Sequence, residues 1–140
     1  MVDQKEGARE TSYAKTVGNW GEKLARRYLM AKKYRILDTN VYVGKQELDI
    51  VAVHNKVLVG IEVKTAMVTR ETLQTGDYVR PSQHLTEKKL RDTYTALQGY
   101  VRSKQLALQE VQYRMDALLL LVDRNGTDVY VKHIQDVRAF

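Results

Sequence analysis

The 140-residue sequence contains no cysteine. That absence excludes disulfides, zinc–thiolate centres and a cysteine nucleophile. It fits a reducing compartment, and we expect a cytoplasmic protein. Long apolar runs are also missing. The longest, Ala117 to Val122, falls far short of the ~20 residues that a spanning helix needs, so no membrane partner is expected. The N-terminus shows no apolar stretch of the kind a signal peptide carries. Proline occurs once, at Pro81, and no internal repeat or low-complexity block is present.

What is present suits one folded domain. Hydrophobic residues make up 44% of the chain, enough for a core, and domains typically run to roughly 100–200 residues. Lysine and arginine number 23 against 17 acids, a net charge of +6. A basic surface favours polyanions such as nucleic acid.

Met1 to Ser12 are polar and without period. We take residues 1–15 as a loose arm and 16–140 as a single domain. From Thr16 to Lys33, Val17, Trp20, Leu24, Ala25, Tyr28 and Leu29 recur at helical spacing. Thr16 suits the N-cap, and the basic residues Arg26 to Lys33 suit the C-terminal dipole. Three strands follow, Tyr34–Val43, Gln46–Val53 and Val57–Lys64, with turns at Gly44-Lys45 and His54-Asn55-Lys56. Thr65 to Ser82 has no clear period and reads as a long loop. Gln83–Gln105 reads as a second helix, with Leu85, Leu90, Tyr94, Leu97 and Val101 inward. Arg114–Val122 and Asp128–Ile134 read as a hairpin around Asn125-Gly126. The order αβββαββ predicts an α/β fold, a mixed β-sheet core flanked by helices.

Chemistry concentrates on the second and third strands. With Asn55-Lys56 as a two-residue turn, Asp49 falls opposite Glu62, and Glu47 opposite Lys64. Opposed side chains share a face, and two opposed carboxylates repel unless a cation joins them. The neighbours Leu48, Ile50, Val51, Ile61 and Val63 are apolar, so charge here interrupts a buried stretch. A magnesium ion held by two carboxylates keeps positions open for water and phosphate. Lys64, two residues beyond Glu62, points the same way and could offset charge in a transition state. The competing reading is a structural cluster in which Lys64 bridges Glu47 or Asp49.

These residues carry a family resemblance. Gly21-Glu22, Ala25 and Tyr28-Leu29 resemble the first helix of the YraN-like proteins, small bacterial proteins of the PD-(D/E)XK, or restriction-endonuclease-like, nuclease superfamily. Glu47-Leu48-Asp49-Ile50-Val51-Ala52 and Glu62-Val63-Lys64-Thr65 are similar to that family's two acidic blocks. Lys89 with Tyr100-Val101, then Arg114-Met115-Asp116, then His133-Ile134 to Ala139-Phe140, resemble its later segments. Gln46 and Lys33 stand where the family usually has glycine, and Ala66 where arginine is common.

The resemblance implies a restriction-endonuclease-like fold and hydrolysis of DNA phosphodiesters. It implies Mg²⁺ or Mn²⁺ on Asp49 and Glu62, catalytic assistance from Lys64, and Glu22 reaching the site as a further acid. Cleavage of particular DNA structures, such as junctions, flaps or single-strand ends, is among the expectations. A junction-cutting enzyme needs two sites, so symmetry favours a homodimer.

Each residue has a plainer role to weigh. Glu22 could simply pair with Arg26 along the helix. Lys88 and Lys89 could form a solvated face or contact a phosphate. We expect His54 in its turn, no histidine metal site, and Trp20 and the tyrosines mostly buried. The alternative to an enzyme is a non-catalytic nucleic-acid-binding module that keeps the same fold.

Overall fold

Asn55 and Lys56 both take positive φ, 51° and 65°, the pair of left-handed residues that closes a two-residue hairpin with the twist of its strands. In the computed structural model, which describes residues 19–75, 86–104, 112–124 and 128–137, the expected register follows from that turn. His54 faces Val57, and the ladder between β2 (Gln46–His54) and β3 (Val57–Val68) runs back to Ile50↔Ile61.

There the strands part. β2 stays with β1 (Arg35–Val43), through Val41↔Leu48 and Tyr42↔Glu47. The Val63 N–H donates instead to the Asp49 carboxylate at 2.9 Å. The directly opposed pairs expected for Asp49/Glu62 and Glu47/Lys64 are therefore corrected: a side chain has taken the place of a ladder carbonyl. Glu47 accepts from the Tyr42 hydroxyl at 3.1 Å.

β3 also runs further than its local pattern indicates, to Val68. It pairs in parallel with β4 (Gln112–Asp123) from Val57↔Gln112 to Val68↔Asp123. A short helix, α2 (Arg70–Thr75), follows, with Thr69 Oγ1 accepting from the Thr72 N–H at 3.1 Å. It lies in the segment the sequence presents as loop. β5 (Val129–Ile134) completes a sheet of order β1-β2-β3-β4-β5, antiparallel except at β3–β4. A parallel neighbour requires a crossover, and helix α3 (Glu87–Ser103) lies between the two strands in sequence.

Each face of the sheet has its own core. Helix α1, residues 19–31, covers one face through Ala25 and Leu29, which pack with Ile50, Ala52, Val59, Ile61, Leu118 and Leu120. α3 covers the other through Leu90, Ala96, Leu97, Tyr100 and Val101, against Leu48, Val51, Leu58 and Met115. Thr86 caps α3 by accepting from the Lys89 N–H at 3.1 Å. The result is an α/β fold, a mixed sheet flanked by helices, with a restriction-endonuclease-like core. No described helix is long and apolar enough to cross a membrane.

Two aromatic expectations are corrected. Trp20 is 41% exposed and Tyr94 43%. The buried stripe of α1 is Gly21, Ala25 and Leu29, one residue and about 100° of helix rotation from Trp20. Tyr42 and Tyr130 are exposed as well, while Tyr34 and Tyr100 are buried. His54 ends β2 rather than sitting in the turn, with its ring stacked on Tyr34 at 4.0 Å.

Lys33, where the resembled family prefers glycine, has φ 69°. Its N–H bonds Met30 O at 3.0 Å, and the Tyr34 N–H bonds Leu29 O at 2.9 Å, the paired bonds of a Schellman helix end whose last residue favours glycine. The expected N-terminal arm (1–15), the Thr16 cap, Tyr78, Pro81, His84, Leu85, Gln105, the Asn125-Gly126 turn and the Ala139-Phe140 tail lie outside the described residues.

Candidate metal centre

Gly21 sets the position of α1. A Cβ there would collide with the Thr65 side chain of β3, so only glycine allows the helix start this close to the sheet. Glu22 is thereby held beside β1, where its Oε2 accepts from Asn40 Nδ2 at 3.2 Å. Asn40, with φ 50°, lies between the pairs Thr39↔Ile50 and Val41↔Leu48, beside Asp49. Glu22, Arg26, Thr39, Asn40, Asp49 and Ile50 line one cleft of about 60 Å³. Glu22 makes no ion pair with Arg26; its hydrogen bond goes across to β1.

Asp49 stands where β2 leaves β3. Burial and the nearby Glu62 carboxylate push its pKa from 3.8 up to about 7. Glu47 adds to the rise, while the Val63 N–H and Lys89 oppose it. Glu62, the first β3 residue past the ladder, receives Lys89 from α3, Nζ to Oε1 at 3.0 Å. Glu62 in turn raises the pKa of Lys89.

Lys64 shares the Glu62 face of β3, is exposed, and makes no ion pair among the described residues. The bridges to Glu47 or Asp49 considered from sequence are absent. Lys88 is exposed on α3.

The structure thus brings Glu22 to Asp49, couples Asp49 to Glu62 and ties Lys89 to Glu62. Lys64, on the Glu62 face, makes no ion pair among the described residues. Among the described residues, no group of three or more His, Cys, Asp or Glu side chains is gathered to hold a metal. The donors on offer are two carboxylates, a hard oxygen set of the kind magnesium uses while keeping several waters.

Sequence reasoning missed a second acidic centre. Asp116 on β4 is 1% exposed. Its Oδ1 accepts from Arg114 Nε at 2.8 Å and from the Asp136 N–H at 3.1 Å. Its Oδ2 accepts from the Tyr34 hydroxyl at 2.8 Å and Arg114 Nη2 at 3.1 Å, and lies 2.8 Å from His133 Nε2. His133 Nδ1 lies 3.2 Å from the Tyr28 hydroxyl, and Gln135 Nε2 donates to Tyr34 Oη at 3.2 Å. Burial alone would raise the Asp116 pKa; the hydrogen bonds from His133, Arg114, the Asp136 N–H and Tyr34 outweigh it and hold the carboxyl well below the usual range. An acid interrupting an apolar strand, at Arg114-Met115-Asp116, was the available signal. Its distant partners come from the link between α1 and β1 (Tyr34), from β5 (His133) and from just beyond β5 (Asp136), which no local pattern connects to it.

A mixed sheet with helices on both faces, and an acid–acid–lysine group where β2 and β3 separate, places the chain among restriction-endonuclease-like proteins. It belongs to the Uncharacterised protein family UPF0102, whose model matches residues 21–120 and to which the YraN-like proteins belong. Similar relatives, each described as a UPF0102 protein, come from several bacteria. That of Christiangramia forsetii is 32% identical, covering 86% of this chain and 91% of its own. That of Syntrophotalea carbinolica is 34% identical over 84% and 87%. That of Chlorobaculum parvum is 38% identical over 85% and 88%.

Proposed function

We propose that the chain is a metal-dependent nuclease hydrolysing DNA phosphodiester bonds at the Asp49–Glu62–Lys64 site. One observation carries this reading. Asp49 is pushed up to about 7 by burial and by Glu62, so the pair is short of positive charge even with Lys89 on Glu62. A divalent ion supplies that charge.

Asp49 and Glu62 would hold Mg²⁺ or Mn²⁺. The oxygen-only donor set fits these ions better than zinc or copper. When bound, such an ion supplies Lewis-acid stabilisation of the phosphoryl group and an acidified water. The Val63 N–H fixes one Asp49 oxygen, which orients the carboxylate. Lys64, which has no acidic partner among the described residues, would meet charge developing on the phosphate. Glu22, held by Asn40 at the edge of the Asp49 cleft, acts through water rather than by direct coordination. Lys88 contributes phosphate attraction, and Lys89 offsets part of the Glu62 charge that the ion would otherwise meet. The net charge of +6 supports a DNA partner. Junctions, flaps and single-strand ends are the substrates to examine, with a homodimer for junctions, and the cysteine-free composition supports a cytoplasmic setting.

The Lys89–Glu62 bridge also favours a second reading. A carboxylate already neutralised at 3.0 Å could belong to a nucleic-acid-binding module that acts with a partner and never binds metal.

Cleavage assays separate the two. Purified protein is incubated with single strands, duplexes, flaps and four-way junctions in Mg²⁺ or Mn²⁺, beside Asp49→Ala and Lys64→Ala. The nuclease reading expects cleavage that both variants lose. Cleavage surviving in both variants assigns it to another source. Binding without cleavage on every substrate supports the binding module. Calorimetry with Mn²⁺ adds a check: heat from the wild type and none from Asp49→Ala.

A further inference from the structure

α3 does not cover the whole of its sheet face. Between α3 and β4 lies a groove of about 500 Å³, walled by Leu90, Tyr94, Tyr113 and Met115, with Arg91 and Asp136 at its rim. That volume is in the range of small-molecule pockets, ~300–1,000 Å³. Nothing in the metal centre uses it.

Its position ties it to that centre. Glu62 pairs with Ala117, and Gly60 with Met115. Met115 therefore lies two residues along β4 from the neighbour of Glu62, on the same face, about 7 Å away at strand rise. Along the helix, Leu90 and Arg91 directly follow Lys89, whose ammonium contacts Glu62. A polymer crossing the metal centre on this face passes the groove within a residue or two.

Its chemistry selects the occupant. Tyr94 and Tyr113 meet edge to face at 5.4 Å, and Tyr94 keeps ring surface open to solvent, being 43% exposed. Lys88 and Arg91, three apart, form a basic strip on α3 leading to Tyr94, with Arg91 also in a long, exposed contact with Glu87 at 3.9 Å. The walls are mainly apolar and aromatic, with Thr95 and Arg114 also in the lining. The rim carries the acid Asp136, whose charge disfavours a phosphate inside. Cations outside and ring faces inside match a nucleotide whose base enters and whose phosphate stays out.

We propose that this groove is a base-binding subsite, holding one unstacked nucleobase of a single-stranded segment next to the phosphate at Asp49, Glu62 and Lys64. The proposal rests on the nuclease reading for the position of that phosphate. It makes the substrate class DNA with unpaired nucleotides, a flap or a single-strand end, rather than continuous duplex.

The test is fluorescence anisotropy with the full chain in EDTA. Short labelled deoxyoligonucleotides are compared with versions carrying one abasic residue moved along the strand. At one position the abasic change should weaken wild-type binding about tenfold, the usual effect of losing one base–aromatic stack. Tyr94→Ala should lose a similar factor on the intact strand and show no further loss with the abasic one. Tyr94→Phe, which keeps the ring, should bind as wild type, and melting curves should show all variants folded. Equal wild-type binding of intact and abasic strands, a Tyr94→Ala loss that is the same on both, or no binding of either strand would overturn the subsite. Mg²⁺-dependent cleavage of the same strands separates the two readings. Cleavage indifferent to base and to Tyr94 leaves the nuclease standing and the subsite refuted. Base-dependent binding with no cleavage of any substrate leaves the subsite standing and the nuclease refuted.

Discussion

Asp49 and Asp116 sit on either side of β3 at nearly the same level: Ile61 pairs with Asp116 on one side and with Ile50, the neighbour of Asp49, on the other. Their environments are opposite. Asp116 is satisfied by Arg114, His133, Tyr34 and a backbone N–H, and its pKa falls. Asp49 is partly buried beside two carboxylates, with only the Val63 N–H and the charge of Lys89 against them, and its pKa rises to about 7. A buried acid whose partners are complete ties elements together: here Arg114 of β4, His133 of β5, Tyr34 just before β1 and Asp136 just after β5 meet on one carboxylate, and α1 joins through the Tyr28–His133 contact. A buried acid short of positive charge costs stability and keeps affinity for a cation. The same residue type thus ties elements together in one place and is left short of positive charge in the other.

The largest way to break this contrast is to remove each carboxylate in turn. Asp116→Ala leaves Arg114 buried and unpaired and should cost about 3–5 kcal/mol, read by urea unfolding. Asp49→Asn removes a repulsion, so without metal it should leave stability unchanged or raised. Equal losses in the two variants would erase the distinction.

Divalent cations come next. With Mn²⁺ at a hundred times its dissociation constant, the wild type should gain about 2.7 kcal/mol, read as a rise in melting temperature. Asp49→Asn should gain little, and so should the wild type at pH 5, where Asp49 carries its proton.

pH then separates the two acids by sign. The raised Asp49 pKa gives stability that is fully present below the ordinary carboxylate pKa and is lost as pH rises through about 7. The depressed Asp116 pKa gives stability present above that ordinary value and lost as pH falls below it. In EDTA, melting temperatures from pH 4 to 8 should therefore show a decline toward neutrality that Asp49→Asn flattens. A decline of the same size in Asp49→Asn would assign it to other groups.

The smallest effect is that of Lys89→Ala. Its bridge to Glu62 is partly exposed and should contribute less than about 1 kcal/mol. With Lys89 gone, Mn²⁺ should stabilise the protein more than it does the wild type, because the ion then supplies all the missing charge. A smaller Mn²⁺ response would make Lys89 a support of the cation site rather than its rival.

Much of this was legible in the sequence because it is local. The two-residue turn at Asn55-Lys56 set the His54↔Val57 register, apolar runs bounded by turns placed the five strands, helical spacing placed both main helices, and charges inside an apolar run marked Asp49, Glu62 and Lys64. Partnership was not legible. β3 extends to Val68 because β4 pairs with it there, α2 follows from that longer strand, and Trp20 and Tyr94 are exposed because neighbouring helix positions took the buried stripe.

By itself, then, the sequence determined the order of the five strands and the two main helices and marked Asp49 and Glu62 as acids within apolar strands, since turn chemistry and side-chain pattern act over a few residues. Only the tertiary structure decided which acid is neutralised. Gly21 docking on Thr65 brings Glu22 to Asp49, Lys89 arrives from α3, and Asp116 collects donors from elements up to 82 residues away. Electrostatic compensation depends on distance in space, and the chain encodes that distance only through its packing.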